Sequence, residues 1–187
     1  MSKSISRKFT VVIPEEVTVD IKDKILSVVG PKGTNTYDFS HVMFLFGREE
    51  NQITLTVYNA RRIDIAKVGT CVGKIQKMIQ GAIHGFAYRL KAAYKHFPIS
   101  FDVQNNGKKV GIKNFLGQKK IRTFRMFGES KIELGTEKDT VIVSGCSIED
   151  VSQSAGQIQN SFIPKNLDTR IFLDGIYIDR KENAYSN

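Results

Sequence analysis

Hydrophobic and polar residues alternate in short runs between residues 11 and 58, which predicts a series of strands separated by turns. The alternation is clearest at Val17, Val19 and Ile21, which are separated by single polar residues, the period of a half-buried strand. Gly30-Pro31-Lys32-Gly33 supplies turn chemistry between two such runs. The further strands predicted in this part of the chain are 25–29, 34–39, 42–46 and 53–58.

The hydrophobic period lengthens after residue 64. Apolar residues then recur in alternating steps of three and four, which places them on one face of an α-helix. These residues are Ile65, Val68, Val72, Ile75 and Ile79. We expect Asp64 to be the N-cap, because its carboxylate suits the positive end of a helix. Glycines at 69, 73, 81 and 85 lower the intrinsic helicity, so packing on a sheet must hold this helix.

The same succession of elements is predicted again after residue 98. Asn106-Gly107 is the strongest signal in the chain for a two-residue hairpin turn. The strands predicted around and after it are 99–103, 108–115, 120–126, 131–134 and 140–144. Ser147 and Asp150 then form a start resembling a capping box, and Pro164 stops the helix. The apolar face of this second helix is Ile148, Val151, Ala155, Ile158 and Phe162.

Short matches between the two halves indicate an internal duplication. The run at 73–76 matches that at 156–159 with an offset of 83 residues, and 54–57 matches 140–143 with an offset of 86. Pro14 with Pro98, and Gly33 with Gly117, are both offset by 84 residues. We therefore predict an α+β fold of two tandem duplicated units, each a small antiparallel β-sheet with one α-helix packed across a face. The predicted units are 1–84 and 85–187, the second with a basic loop and a C-terminal extension.

Composition agrees with a folded chain that has a core. The 187 residues are 41% hydrophobic and 25% charged, and no apolar run approaches the roughly 18 residues of a membrane span. The first ten residues lack an apolar segment, so we do not expect a secretory signal. Cys71 and Cys146 cannot make a disulfide framework, which fits a reducing compartment, and both are expected to fill core space.

The net charge of +9 resides entirely in residues 84–126, which we call the cationic segment. One acid, Asp102, accompanies its ten cations, whereas cations and acids balance in the rest of the chain. The ten are Arg89, Lys91, Lys95, Lys108, Lys109, Lys113, Lys119, Lys120, Arg122 and Arg125. Such a segment favours a polyanionic partner over a merely solvated surface. Composition alone leaves RNA, DNA, and an anionic membrane or protein surface open.

Candidate catalytic chemistry is lacking in the sequence. His41, His84 and His96 have no cysteine or carboxylate neighbours at metal-ligand spacing. The chain also contains no Walker A, G-x-S-x-G, C-x-x-C or H-E-x-x-H motif. We expect no enzymatic activity, no cofactor and no bound metal.

Residues 113–120, which we call the basic loop, combine cations with apolar anchors. A turn at 116–118 would project Lys113, Asn114, Lys119 and Lys120 over packed Phe115 and Leu116. Gly117 would permit close approach of the backbone to a phosphate, and Asn114 could hydrogen-bond to a base, a sugar or a phosphate. In the strand that follows, Arg122 and Arg125 should point to opposite faces.

These runs resemble a known family. Lys113-Asn-Phe-Leu-Gly-Gln-Lys119, preceded by 94–99 and followed by 172–178, looks like universal large-subunit ribosomal protein six, whose eukaryotic members are called large-subunit ribosomal protein nine. The likeness runs from about Ile13 to Arg180 and includes 30–33 and 38–41. The Phe-Leu-Asp-Gly-Ile-Tyr run is typical of the eukaryotic and archaeal forms.

The resemblance implies a structural protein of the large ribosomal subunit. In that family, two homologous α/β units bind large-subunit rRNA, mainly through the second, close to the sarcin–ricin loop and the stalk base. Expected partners are therefore this rRNA and neighbouring large-subunit proteins, including those at the stalk base, with no membrane and no small-molecule substrate. The expected location is the cytoplasmic ribosome, with nuclear or nucleolar passage during assembly. The RNA-binding residues carried onto this chain or chosen from the cationic segment are Lys91, Lys113, Asn114, Gly117, Lys119, Lys120, Arg122 and Arg125.

An alternative function is a free RNA-binding regulatory protein of the same fold. Sedimentation separates the two, because a ribosomal protein should travel with large subunits. A third class, an enzyme acting on RNA, has no candidate acid, base or metal site.

The segment 170–180 is too apolar for a disordered tail. We expect Phe172, Leu173, Ile176, Tyr177 and Ile178 to pack on the second unit, in preference to a contact with RNA or protein. Residues 181–187 are polar and are expected to fray.

We predict that the isolated protein binds large-subunit rRNA with a steep dependence on salt. If about six cations of the cationic segment contact phosphates, log K should fall against log salt with a slope of about −4 to −5, since each neutralised phosphate contributes roughly 0.7–0.9. Equilibrium binding over a series of salt concentrations tests this, and a slope near zero would exclude an electrostatic interface.

Overall fold

The computed structural model describes residues 6–49, 51–58, 61–164, 167–168 and 170–183. The chain divides into two compact units, Met1–Ile83 and His84–Asn187. In the part of the chain so described, neither helix has the length and apolarity that a membrane span requires.

In its described residues, the first unit contains two three-stranded antiparallel sheets and one helix. The strands run in the order β1-β6-β5 in one sheet and β2-β3-β4 in the other, and α1 packs against both. Leu26, Ile53 and Ile75 are fully buried where these layers meet. The elements are β1 (Arg7–Val12), β2 (Thr18–Lys22), β3 (Ile25–Gly30), β4 (Gly33–Asp38), β5 (Leu45–Glu49), β6 (Gln52–Val57) and α1 (Arg62–Ile83).

The second unit repeats this plan and adds one strand. Its sheets have the orders β8-β9-β10 and β11-β12-β7-β13, with α2 packed on the four-stranded sheet. The elements are β7 (Phe86–Ala93), β8 (Ser100–Gln104), β9 (Lys109–Lys113), β10 (Arg122–Arg125), β11 (Lys131–Leu134), β12 (Thr140–Gly145), α2 (Ile148–Ser161) and β13 (Gly175–Asn183).

The predicted α+β class and the duplication are confirmed by this repeated topology. The matched runs fall on equivalent elements, because 73–76 and 156–159 lie in α1 and α2, and 54–57 and 140–143 lie in β6 and β12. One sheet in each unit was predicted, whereas the described residues of each unit form two. Strands of both sheets show the same alternation, so the pattern could not reveal which strands pair.

The α1 helix begins earlier than predicted, at Arg62. Asp64 is therefore not the N-cap but lies in the first turn, where its carboxylate accepts a hydrogen bond from the Arg61 backbone N–H at 3.2 Å. The carboxylate still satisfies a backbone donor at the positive helix end. By contrast, the predicted cap of α2 is confirmed, since Ser147 Oγ accepts from the Asp150 N–H at 3.4 Å.

The buried face of α1 only partly matches the predicted one. Val68, Ile75 and Ile79 are buried, whereas Ile65 and Val72 are half-buried. Met78, Gly81, Ala82 and the expected core residue Cys71 are also buried. Cys146 is only half-buried, so its assignment to the core was wrong.

Strand β5 is shifted from its predicted position at 42–46. Val42 and Phe44 are buried before the strand begins, and the register pairs Glu49 with Gln52. Arg48 and Glu49, which follow the predicted strand, therefore lie in β5. Polar side chains are tolerated there because β5 lies at the edge of its sheet.

The hairpin at Asn106-Gly107 has a longer loop than the two residues predicted. Gln104 pairs with Lys109, and Asn105, Asn106 and Gly107 all have positive φ. The Ile132 N–H donates to the Gly107 carbonyl at 2.9 Å, so the loop packs against β11. The return strand is also shorter than predicted and ends at Lys113.

Strands β7 and β13 pair with each other, and β7 was not predicted. Strand β7 lies between β12 and β13, and its core residues Phe86, Tyr88, Leu90 and Ala92 alternate with Arg89 and Lys91. Ala87 and Ala93 are apolar as well, so the polar half of this alternation is weak. In β13, Ile176 is buried as expected, but Phe172 and Leu173 precede the strand and are exposed. Residues 181–183 belong to β13 and are not frayed, and 184–187 lie outside the described residues.

We predict opposite effects for two Gly→Ala substitutions. A Cβ at Gly30 would lie 2.6 Å from the Ala82 carbonyl oxygen, so Gly30→Ala should lower the free energy of unfolding by about 1–3 kcal/mol. Gly69 is exposed in α1 with no atom within 4 Å of such a Cβ, so Gly69→Ala should raise it by about 0.5–1 kcal/mol. Urea unfolding measures both, and equal effects would contradict the packing of α1 on β3.

Candidate nucleic-acid interface

The basic loop joins β9 to β10 through a single turn of 3₁₀ helix, Phe115–Gly117. Asn114, Leu116 and Gly117 have φ values of 64°, 50° and 73°. Left-handed backbone costs a non-glycine residue roughly 1–2 kcal/mol, so contacts of the loop must enforce this shape.

Phe115 supplies the main apolar contact of the loop. Its side chain is buried, and its ring packs edge-on against that of Phe162 with centroids 5.0 Å apart. The ring of Phe124 contacts Phe162 from β10 at 5.7 Å. Leu116 is partly buried against the same core. The two apolar anchors thus pack beneath the loop, as the sequence predicts.

Arg122 ties the loop to the C-terminal end of α2. Its guanidinium lies 5.2 Å from the ring centroid of Phe115 and 5.1 Å from that of Phe162, within the range of cation–π attraction. It also donates hydrogen bonds to the Ser161 carbonyl and, at 2.9 Å, to Gln118 Oε1. Arg122 therefore has an internal structural role, whereas Arg125 is exposed on the opposite face of β10.

Lys113 and Asn114 have partners inside the second unit. Lys113 Nζ lies 3.3 Å from Asp102, and Asn114 Nδ2 donates to the Pro98 carbonyl at 3.0 Å. Hydrogen bonds from Gln104 and then Lys113, together with the Lys113 charge, hold the pKa of Asp102 below its usual value. The one acid of the cationic segment thus partly neutralises Lys113.

Lys119 and Lys120 are exposed and, within the described residues, form no hydrogen bond or ion pair. They follow Gly117, where a Cβ would lie 3.1 Å from the Phe97 ring. Lys91 lies away from the loop in sheet order, on β7 of the four-stranded sheet, and its Nζ is 3.3 Å from Glu137. The structure therefore places seven of the eight predicted RNA-binding residues on the loop and β10, and Lys91 on the other sheet.

An open groove of about 650 Å³ lies beside the loop. Gln118, Lys120 and Arg122 line one part of it, and Asn160 and Ser161 at the end of α2 line another. Sequence analysis missed the two α2 residues, since only the packing of α2 brings them to the loop. In the described part of the chain, no three side chains of His, Cys, Asp or Glu are grouped as a metal ion would need.

Comparison with known proteins identifies the family. Residues 13–89 match the family described as Ribosomal protein L6. The chain is 39% identical over 183 residues to large ribosomal subunit protein uL6B of Saccharomyces cerevisiae, which covers 96% of each chain. It is 42% identical over 167 residues to large ribosomal subunit protein uL6 of Staphylothermus marinus, covering 89% of this chain and 90% of that one. With uL6 of Candida albicans it shares 40% identity over 173 residues, which cover 90% and 91% of the two chains.

The chain therefore belongs to the ribosomal protein L6 family, and the resemblance in its sequence is confirmed. This family consists of ribosomal structural proteins and not of enzymes. Its relatives support a structural role in the large ribosomal subunit.

We predict that Phe115→Ala acts through stability. Truncating a buried Phe costs about 3–5 kcal/mol, and here it also removes the ring on which Arg122 and Phe162 pack. Urea unfolding should show this loss, with Phe172→Ala as the control because that side chain is 41% exposed. A loss below about 1 kcal/mol would mean that Phe115 does not anchor the loop.

Proposed function

We propose that this protein binds large-subunit rRNA, mainly through its second unit, and that the basic loop is the principal contact. The observation that carries the proposal is the state of Lys119 and Lys120, which are exposed and unpaired among the described residues. Cations in this state attract phosphates and release counterions when they bind them.

The partners of the other cations show which of the predicted RNA-binding residues have charge left to offer a phosphate. Lys91 faces Glu137 and Lys113 faces Asp102, so each brings less net charge to an RNA. Arg122 is engaged with Ser161 and Gln118. Lys119, Lys120 and Arg125 are thus the strongest candidates for phosphate contacts, and Asn114 and Gly117 act by shaping the loop.

The family supports a proposal for where the interface lies in the ribosome. The relatives are named as proteins of the large ribosomal subunit, which supports assembly of this chain into that particle. The resemblance further supports a place near the sarcin–ricin loop and the stalk base, beside the proteins of the stalk base. It also supports a location of the protein in the cytoplasmic ribosome, after nuclear or nucleolar passage during assembly.

Directed hydroxyl-radical cleavage tests this position. An iron chelate tethered through Lys119→Cys, in a protein whose Cys146 is replaced by Ser, should cut rRNA at the sarcin–ricin loop and the stalk base in assembled subunits. The same protein without Lys119→Cys is the control, because Cys71 is buried. Cuts confined to other rRNA regions would contradict the position, and failure to sediment with large subunits would favour a free regulatory protein.

We predict that replacing Lys119 and Lys120 together with Gln weakens rRNA binding without changing stability. Losing two phosphate contacts should make the slope of log K against log salt shallower by about 1.4–1.8. The matched control replaces Lys131 and Lys138, exposed lysines of the second unit outside the cationic segment. A wild-type slope in the double variant, at unchanged melting temperature, would move the main contact elsewhere.

A further inference from the structure

We infer that the ring of Phe97 is a stacking platform for an unpaired RNA base beside the basic loop, an inference that rests on the function proposed above. Phe97 lies in the connection between β7 and β8, and 47% of its surface is exposed. An aromatic ring open to solvent next to lysines is the combination with which proteins bind single-stranded RNA.

The basic loop itself holds the ring. A Cβ built at Gly117 would lie 3.1 Å from Phe97 Cε1, 3.3 Å from Cζ and 3.4 Å from Cδ1. These three atoms form one edge of the ring, so that edge occupies the space beside Gly117 that a side chain would take. A glycine is needed at this position both for its φ of 73° and for the space that the ring takes.

Two hydrogen bonds fix the backbone on either side of Phe97. The Asn114 side chain donates to the Pro98 carbonyl at 3.0 Å, and the Lys95 N–H donates to Asp174 at 2.8 Å. The ring is therefore positioned before any ligand arrives, so stacking loses little conformational freedom. This gives Asn114 a positioning role rather than the direct RNA contact expected for it.

An RNA base is a better partner for the exposed face of this ring than an apolar protein side chain. Lys119 and Lys120 follow Gly117 by two and three residues, so the ring stands beside the least neutralised charge of the loop. A nucleotide offers both groups at once, a π-face for the ring and a phosphate for a lysine. Tyr94, in the same connection, is not equivalent, because its hydroxyl is bound to Asp139.

Variants of Phe97 separate stacking from charge. Affinity for protein-free large-subunit rRNA would be measured over a series of salt concentrations for Phe97→Ala, Phe97→Leu and Phe97→Tyr, with melting temperatures. Phe97→Ala and Phe97→Leu should each bind about 5- to 100-fold more weakly at a given salt concentration, with an unchanged salt slope, whereas Phe97→Tyr should bind normally. Phe127→Leu is the matched control, since Phe127 is 40% exposed and follows β10 at the end opposite the basic loop.

The outcomes distinguish this inference from the proposed function. Normal rRNA binding by Phe97→Leu would overturn the stacking platform, whatever Phe97→Ala does, because leucine keeps apolar volume but has no π-face. If Phe97→Leu changes the salt slope as replacement of Lys119 and Lys120 does, the ring merely positions those lysines and the platform is also wrong. Failure of the wild-type protein to bind rRNA would instead overturn the proposed function.

Discussion

The contact between Phe115 and Phe162 is the interaction on which the candidate interface depends. It joins a loop with three left-handed residues to the end of α2, and it also provides the two rings on which Arg122 lies. A strained loop keeps one shape only when its surroundings determine that shape. Here burial of one ring fixes the backbone, and the backbone then directs Lys119 and Lys120 outward.

Charge in this region is divided between structure and surface. In the sequence, the cationic segment is one continuous region of positive charge. In the folded unit, however, Arg122 donates hydrogen bonds to a carbonyl and an amide oxygen, and Lys113 is paired with Asp102. Burial and pairing thus leave a smaller, more localised set of free cations than the composition indicates. Affinity for a polyanion should depend on that set rather than on the total of +9.

The features of the fold that could be predicted from the sequence are those whose signals lie within a few neighbouring residues. The Ser147 cap and the duplicated α+β plan were predictable, because capping and periodicity are short-range patterns. The division of each unit into two sheets was not, because pairing is a long-range choice among similar strands. For the same reason, the sequence could not reveal that Arg122 bonds to the Ser161 carbonyl or that Asn114 bonds to the Pro98 carbonyl.

The pairing of β13 with β7 has a consequence for how the second unit is made. Gly175 lies opposite Ala93, so β7 is synthesised long before β13, the strand that pairs with its second edge. Until then one edge of β7 stays open, and an open edge is a template for pairing with other chains. A chain interrupted before residue 175 would therefore keep this edge of β7 unpaired, and the last strand of the fold is also the one that closes the edge.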